Sequence, residues 1–467
     1  MPVQGAPSEF QLITGLVVAI ILLLVFVLRT RIHAVLALVA AAAVAGLIGG
    51  MPPDELVASI TRGFGNTLAT IGLVIGFGVM LGRLLQISGA AERLAYSLIR
   101  WLGSNREEWA LAVTGYVVSI AIFCDSAFVI LEPLARALSR TTGKSVITLG
   151  ICLAGGLMLT HHAVPPTPGP LGIAGIFEVD IGLMILWGFV ITLPVIAAIV
   201  WYARTMGPRI QTMMLHDDRE SVDRAFEVFE EGVQRREKDL PPLALSAAPI
   251  IVPILLIFIN TATAAVVRFS DDPELAGSLA IQICAFVGNP VIAVGLGVAL
   301  AAYTLVPGRS RDHVLAEMEK GVESAGIILL VTGAGGALGA VLRDSGAGQV
   351  IGESVVTLPL PAILIPFVIS TIVRIIQGSG TVAMITGASI AAPILTAIPD
   401  VNMVFAAQAA AVGSMAFSYF NDSYFWVVNR LLGVKNAKHQ LLTWSVPTTI
   451  GWFCSLILLL VADFLFG

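Results

Sequence analysis

The chain has 467 residues, 57% of them hydrophobic and only 12% charged, with a mean hydropathy of +0.91. Soluble domains carry about 25% charged residues, so this composition excludes a soluble protein and predicts an all-α polytopic membrane protein. The net charge of −5 leaves no basic surface for nucleic acid.

The first ten residues, MPVQGAPSEF, hold no basic residue before the first apolar run. A cleaved signal peptide normally begins with one, so the first run is expected to be an uncleaved span. A spanning helix needs about 20 apolar residues. Uncharged runs of that order cover 11–28, 34–53, 63–82, 181–203, 241–267, 275–308, 324–342 and 440–462. Regions 109–177 and 354–429 are also apolar, but polar and Pro/Gly clusters interrupt them. The four cysteines (Cys124, Cys152, Cys284, Cys454) lie in apolar stretches without metal-ligand spacing, so neither a disulfide framework nor a metal site is expected.

Lys and Arg favour cytoplasmic loops. Arg29, Arg31, Arg83, Arg93, Arg100, Arg106, Arg136, Arg140, Lys144, the basic residues from Arg204 to Lys238, Arg309, Arg311, Arg430, Lys435 and Lys438 all fit one topology. It puts both termini in the periplasm and makes 205–240 a charged cytoplasmic linker. Residues 109–137 are then too short to cross twice. They are expected to leave and re-enter on the cytoplasmic side, as a re-entrant hairpin with Asp125 near its tip.

From Ser145 to Phe177 there is no Asp, Glu, Lys or Arg, yet THHAVPPTPGP occupies 160–170. Proline removes a backbone donor and breaks a helix. Freed backbone groups at membrane depth are tolerated only when buried in protein or lining a wet cavity. The broken helix at 145–177 therefore reads as part of a binding site.

An internal repeat supports this. GFGVMLGRLLQISGA, from Gly76, and GAGGALGAVLRDSGA, from Gly333, share eight of fifteen residues. Under the charge rule the two copies run in opposite directions. The expected architecture is two inverted repeats of about five spans each. The first, 1–204, holds the hairpin at about 109–137 and the broken helix at about 145–177. The second, 241–467, holds a hairpin at about 361–398 and a broken helix at about 401–429. Such repeats mark secondary transporters, with the substrate site at the breaks.

The hairpin tip Gln377-Gly378-Ser379-Gly380-Thr381 opens a helix, whose free amides suit an anion. The other tip offers Asp125 and Ser126. The breaks offer Thr160, His161, His162 and Thr167 on one side and Ser418, Asn421, Asp422 and Ser423 on the other. This set suits a small polyhydroxylated anion as partner. Ionisable groups at membrane depth are usually functional, so Asp125 and Asp422 are candidate proton carriers, with the histidines as alternatives. Both aspartates also fit helix-capping roles, and Arg374 fits either anion binding or the membrane interface.

MLGRLLQISGAAERLA, THHAVPPTPGP, RIIQGSGTVA and FSYFNDSYFW together resemble the gluconate:proton symporter family of sugar-acid permeases, over nearly the whole chain. The resemblance implies a bacterial inner-membrane carrier of elevator type, a homodimer with a scaffold and a mobile transport domain, and no cofactor. It implies import of gluconate or a related sugar acid by proton symport. The family commonly has Glu where Asp125 stands, and His near Thr167 and Tyr419. D-glycerate, hexuronates, D-serine and sodium coupling are the alternatives. An intramembrane hydrolase is disfavoured by the lack of a nucleophile elbow, and ATP-driven transport by the lack of a P-loop.

Overall fold

Apolar runs bounded by capping residues become helices throughout the described residues. The computed structural model describes residues 8–30, 32–102, 106–217, 240–270, 278–348, 350, 361–419 and 422–467, and every regular element among them is helical. Most of the linker at 205–240 lies outside the described residues.

The first half begins with α1 (Glu9–Arg29), α2 (Ala34–Ile48), α3 (Pro53–Ile87) and α4 (Ala90–Leu102). Ser8 caps α1 in a reciprocal pair with Gln11. Helices α5 (Glu107–Val118) and α6 (Cys124–Thr142) form a helix–turn–helix around 119–123. The segment 145–177 divides into α7 (Val146–Ala163) and α8 (Pro168–Ile176), followed by α9 (Ile181–Thr192) and α10 (Val195–Asp217).

The second half also places a long helix before a helical hairpin and a broken helix. Helices α11 (Leu243–Ser270), α12 (Leu279–Val287) and α13 (Pro290–Thr304) precede the long α14 (Arg311–Asp344). The hairpin consists of α15 (Leu364–Gln377) and α16 (Gly380–Leu395), and the broken helix of α17 (Met403–Gly413) and α18 (Ser423–Leu431). Helix α19 (Ala437–Gln440) and one π turn lead into α20 (Val446–Phe466). Gly76 to Gly333, Glu107 to Leu364 and Val146 to Met403 span the same interval, 257 residues.

Helices α3 and α14 pack side by side. Arg62, at the start of α3, pairs with Asp344, at the end of α14 (2.6 Å). Arg83, near the end of α3, pairs with Glu317, near the start of α14 (2.5 Å). The two helices are therefore antiparallel.

Among the described residues, five helices are long and apolar enough to cross a membrane. Two bent pairs raise this to seven, one of them α3, bent by 44° between Ala69 and Gly72. Shorter apolar helical stretches at Glu9–Leu23 and Val35–Ile48 lie in the runs near 11–28 and 34–53.

Every residue of α7 is buried, while none in α12 is. The broken helix thus lies at the centre of the protein and α12 at its rim. In water a fully apolar surface helix would be unstable, but in a bilayer lipid tails cover it.

The chain satisfies the backbone groups freed at the Pro break. Gln408 of α17 donates from Nε2 to the carbonyls of Ala163 (3.1 Å) and Met184 (2.8 Å). Thr167 donates from Oγ1 to the carbonyls of Val164 (2.7 Å) and His161 (3.2 Å). Two side chains from distant parts of the sequence therefore replace the missing helical bonds.

Candidate functional site

A cavity of about 250 Å³ lies where α6, α16 and α18 begin and α7 ends. Its wall includes Asp125, His161, His162, Gly378, Ser379, Gly380, Thr381, Asp422 and Ser423. These nine expected residues come from four separate elements, and the fold brings them together.

Local geometry explains their placement. Gly378 has φ +88°, the left-handed region that glycine adopts without a Cβ penalty, and it ends α15. Ser379 then caps α16 by accepting from the Val382 amide (3.4 Å), and Gly380 and Thr381 at the start of α16 line the cavity. Asp422 caps α18 by accepting from the Tyr424 amide (3.2 Å). Ser423 donates from Oγ to Asp125 Oδ1 (3.3 Å), which ties the tip of one hairpin to the broken helix of the other half.

Arg374 is the charged anchor. It is 4% exposed and pairs through NH2 with Asp422 Oδ2 at 2.6 Å. It also donates to the carbonyl of Gly378, and Ser418 donates to the same Asp422 carboxylate. Arg374 is the single Lys or Arg between Arg343 and Arg430 in the sequence, a signal that it is no ordinary interface marker. Cys124, Met158, Tyr424, Trp444 and Thr448 complete the wall, and sequence reasoning gave no reason to choose them.

Three buried nitrogens at this cavity have no protein partner: Arg374 Nε, His161 Nδ1 and His162 Nε2. His162 is fixed through Nδ1 against the Met158 carbonyl (3.0 Å). The His161 ring packs on Phe123, with centroids 5.6 Å apart. Buried polar atoms normally find partners, so three without one on residues that line a single cavity mark it as a candidate polar-ligand site.

Other expected residues sit elsewhere. Thr160 is fully buried and donates from Oγ1 to the Tyr116 carbonyl (2.8 Å), so it ties α7 to α5. Ser126 and Thr167 line a second cavity of about 250 Å³, with Phe123, Arg83, Gln86 and Lys320. Asn421 lies outside the described residues. A third, larger cavity of about 720 Å³ opens between α3 and α14 on one side and α8 and α16 on the other.

Broken helices meeting around a cavity lined by charged and polar side chains inside an apolar bundle define a multi-pass membrane transport protein. GntP family permease is the family whose model matches, over residues 11–465. The chain therefore belongs to that family: it is a transporter rather than an enzyme, and a multi-pass protein of the bacterial inner membrane. It is 53% identical over 456 residues to an uncharacterized permease of Haemophilus influenzae, covering 97% of this chain and 93% of the relative. It is 32% identical over 460 residues to a gluconate permease of Pseudomonas aeruginosa, covering 98% of each. In fold it matches the solved Alcanivorax borkumensis YdaH transporter with a TM-score of 0.60, at 18% identity, over 97% of this chain and 99% of that one.

Proposed function

We propose that the protein imports gluconate or a related small hydroxy-carboxylate by proton symport with alternating access. The observation that carries this reading is the buried cavity with three unpartnered nitrogens and a single guanidinium. A sugar acid has the matching chemistry. Its carboxylate meets Arg374 and the first amides of α16 at Gly380 and Thr381. Its hydroxyls meet His161, His162, Ser379, Ser423 and Asp125. Asp125 and Asp422 are the carboxylates available to hold the co-transported proton. The gluconate permease of Pseudomonas aeruginosa, among the relatives, supports this substrate class.

The two halves act as inverted repeats in this reading. The antiparallel α3 and α14 and the equal 257-residue intervals support it. Helices α1–α3 and α11–α14 form the scaffold, in a homodimer. The hairpins and broken helices form the part that moves, in the manner of an elevator. Both termini face the periplasm.

The test is uptake of labelled gluconate into proteoliposomes under an inward proton gradient or an inward sodium gradient, imposed separately. Unlabelled D-glycerate, glucuronate and D-serine serve as competitors. Uptake driven by protons and blocked by sugar acids is the expected result. Uptake driven only by sodium refutes proton coupling, and inhibition by D-serine alone refutes the substrate class.

A further inference from the structure

We propose that substrate and Asp422 compete for Arg374: the entering carboxylate replaces Asp422 on the guanidinium, and the displaced Asp422 takes the proton that travels with it. The inference rests on the proton-symport reading above and adds the element that couples the two cargoes.

The geometry sets up the exchange. Arg374 and Asp422 are both buried and bonded at 2.6 Å, on elements from different parts of the chain. The Arg374 Nε is buried and without a protein partner at the same cavity, so the guanidinium has unused donor capacity there. The Ser418 hydroxyl donates to the same Oδ2 of Asp422 that Arg374 holds, and the Tyr424 amide donates to its Oδ1. It therefore stays in place when Arg374 turns to a new partner.

Charge makes the exchange obligatory. The groups facing Asp422 are Arg374 from α15, Asp125 and Cys124 from α6, His161 and His162 from α7, and Tyr424 from its own helix. Arg374 is the one permanent cation among the described residues of this wall. An occupied site holds the carboxylates of Asp125, Asp422 and the substrate around one guanidinium. A buried carboxylate that loses its cation neutralises instead of remaining charged. The step balances without bond changes in the substrate: one anion and one proton enter and leave together, and the charge of the site is constant.

Proton uptake on binding tests this directly. Purified protein in weak buffer with a pH-indicating dye is mixed with gluconate. The wild type is expected to take up one proton per gluconate bound, and by linkage its affinity rises about tenfold per unit of acidification once Asp422 is otherwise ionised. Asp422→Asn is expected to bind gluconate with no proton uptake and a flat pH profile. In proteoliposomes it is expected to exchange gluconate across the membrane without accumulating it under a proton gradient. Asp422→Glu, which keeps the carboxylate, is expected to remain coupled. If Asp422→Asn does not fold, the double variant Arg374→Gln/Asp422→Asn removes both charges together, and weak pH-independent binding is expected. Unchanged proton uptake by Asp422→Asn or by the double variant overturns the exchange, as does normal accumulation by Asp422→Asn. Absence of gluconate transport by the wild type refutes the function itself, a separate outcome.

Discussion

Gly380 offers a sharp test of how the site is built, because the space for its hydrogen can be measured. A Cβ placed there would lie 2.3 Å from His162 Nε2 and 3.1 Å from its Cδ2. Carbon and nitrogen settle at about 3.5 Å, so Gly380→Ala demands roughly 1 Å of movement. His162 has little room to give: it is 5% exposed, bonded to the Met158 carbonyl and packed on His161. Overpacking of a fixed site costs about 1–3 kcal/mol, or roughly 5- to 150-fold in an equilibrium constant. Gly380→Ala is therefore expected to weaken gluconate binding by that factor and to lower thermal stability in detergent. Gly65→Ala, which has open space around it, is the control and is expected to be neutral. In a His162→Ala background the stability cost of Gly380→Ala is expected to vanish, since the clashing ring is gone. An equal cost in both backgrounds would falsify the contact and with it the account of the site's closure.

Three further outcomes follow from the structure. Lys144 bridges the buried carboxylates of Glu107 and Glu108, both at 2.7 Å, so Lys144→Met is expected to destabilise by up to about 3–5 kcal/mol. That cost is moderated because Arg204 also reaches Glu108 (3.3 Å), and Glu107→Gln/Glu108→Gln in the same chain should recover most of it in a thermal-shift assay. Gln408→Leu strips the partner from the Ala163 carbonyl at the Pro break and should cost about 1–3 kcal/mol, read as a lower unfolding midpoint; an unchanged midpoint would mean the carbonyl finds another donor. Cys124 lies in the wall of the central cavity, so a variant with Cys124 as its only cysteine should react more slowly with a small maleimide when gluconate is present. An unprotected rate would place the substrate away from that wall.

Much of the architecture follows from the order of residues alone. An apolar composition forces a membrane protein, because that much apolar surface has no stable place in water. Pro165 and Pro166 stand at the break between α7 and α8, since proline lacks the amide that a continuous helix needs, while Pro168 and Pro170 fit the first turn of α8, where that amide has no helical partner. The glycine-rich segments at Gly76 and Gly333 lie 257 residues apart, the interval that also separates the starts of α5 and α15 and of α7 and α17. Such features are local or periodic, and a sequence records them directly.

The composition of the site depended on three dimensions. Asp125 and Ser126 are neighbours in α6, yet they line different cavities. Successive residues on a helix are about 100° apart, so the rotation of α6 about its axis decides which one meets the centre. Thr160 and Thr167 carry the polar groups expected of ligands, but both hydroxyls are engaged with backbone carbonyls. Nothing in their spacing could reveal this, because the carbonyls they meet are exposed only by the geometry of the break and by the approach of α5. Arg374 and Asp422 are 48 residues apart on separate elements. Sequence singled out Asp422 as an ionisable group at membrane depth and left Arg374 between anion binding and the membrane interface. Only the packing of α15 against the start of α18 made them a pair, because an ion pair is fixed by distance in space and a sequence holds only distance along the chain.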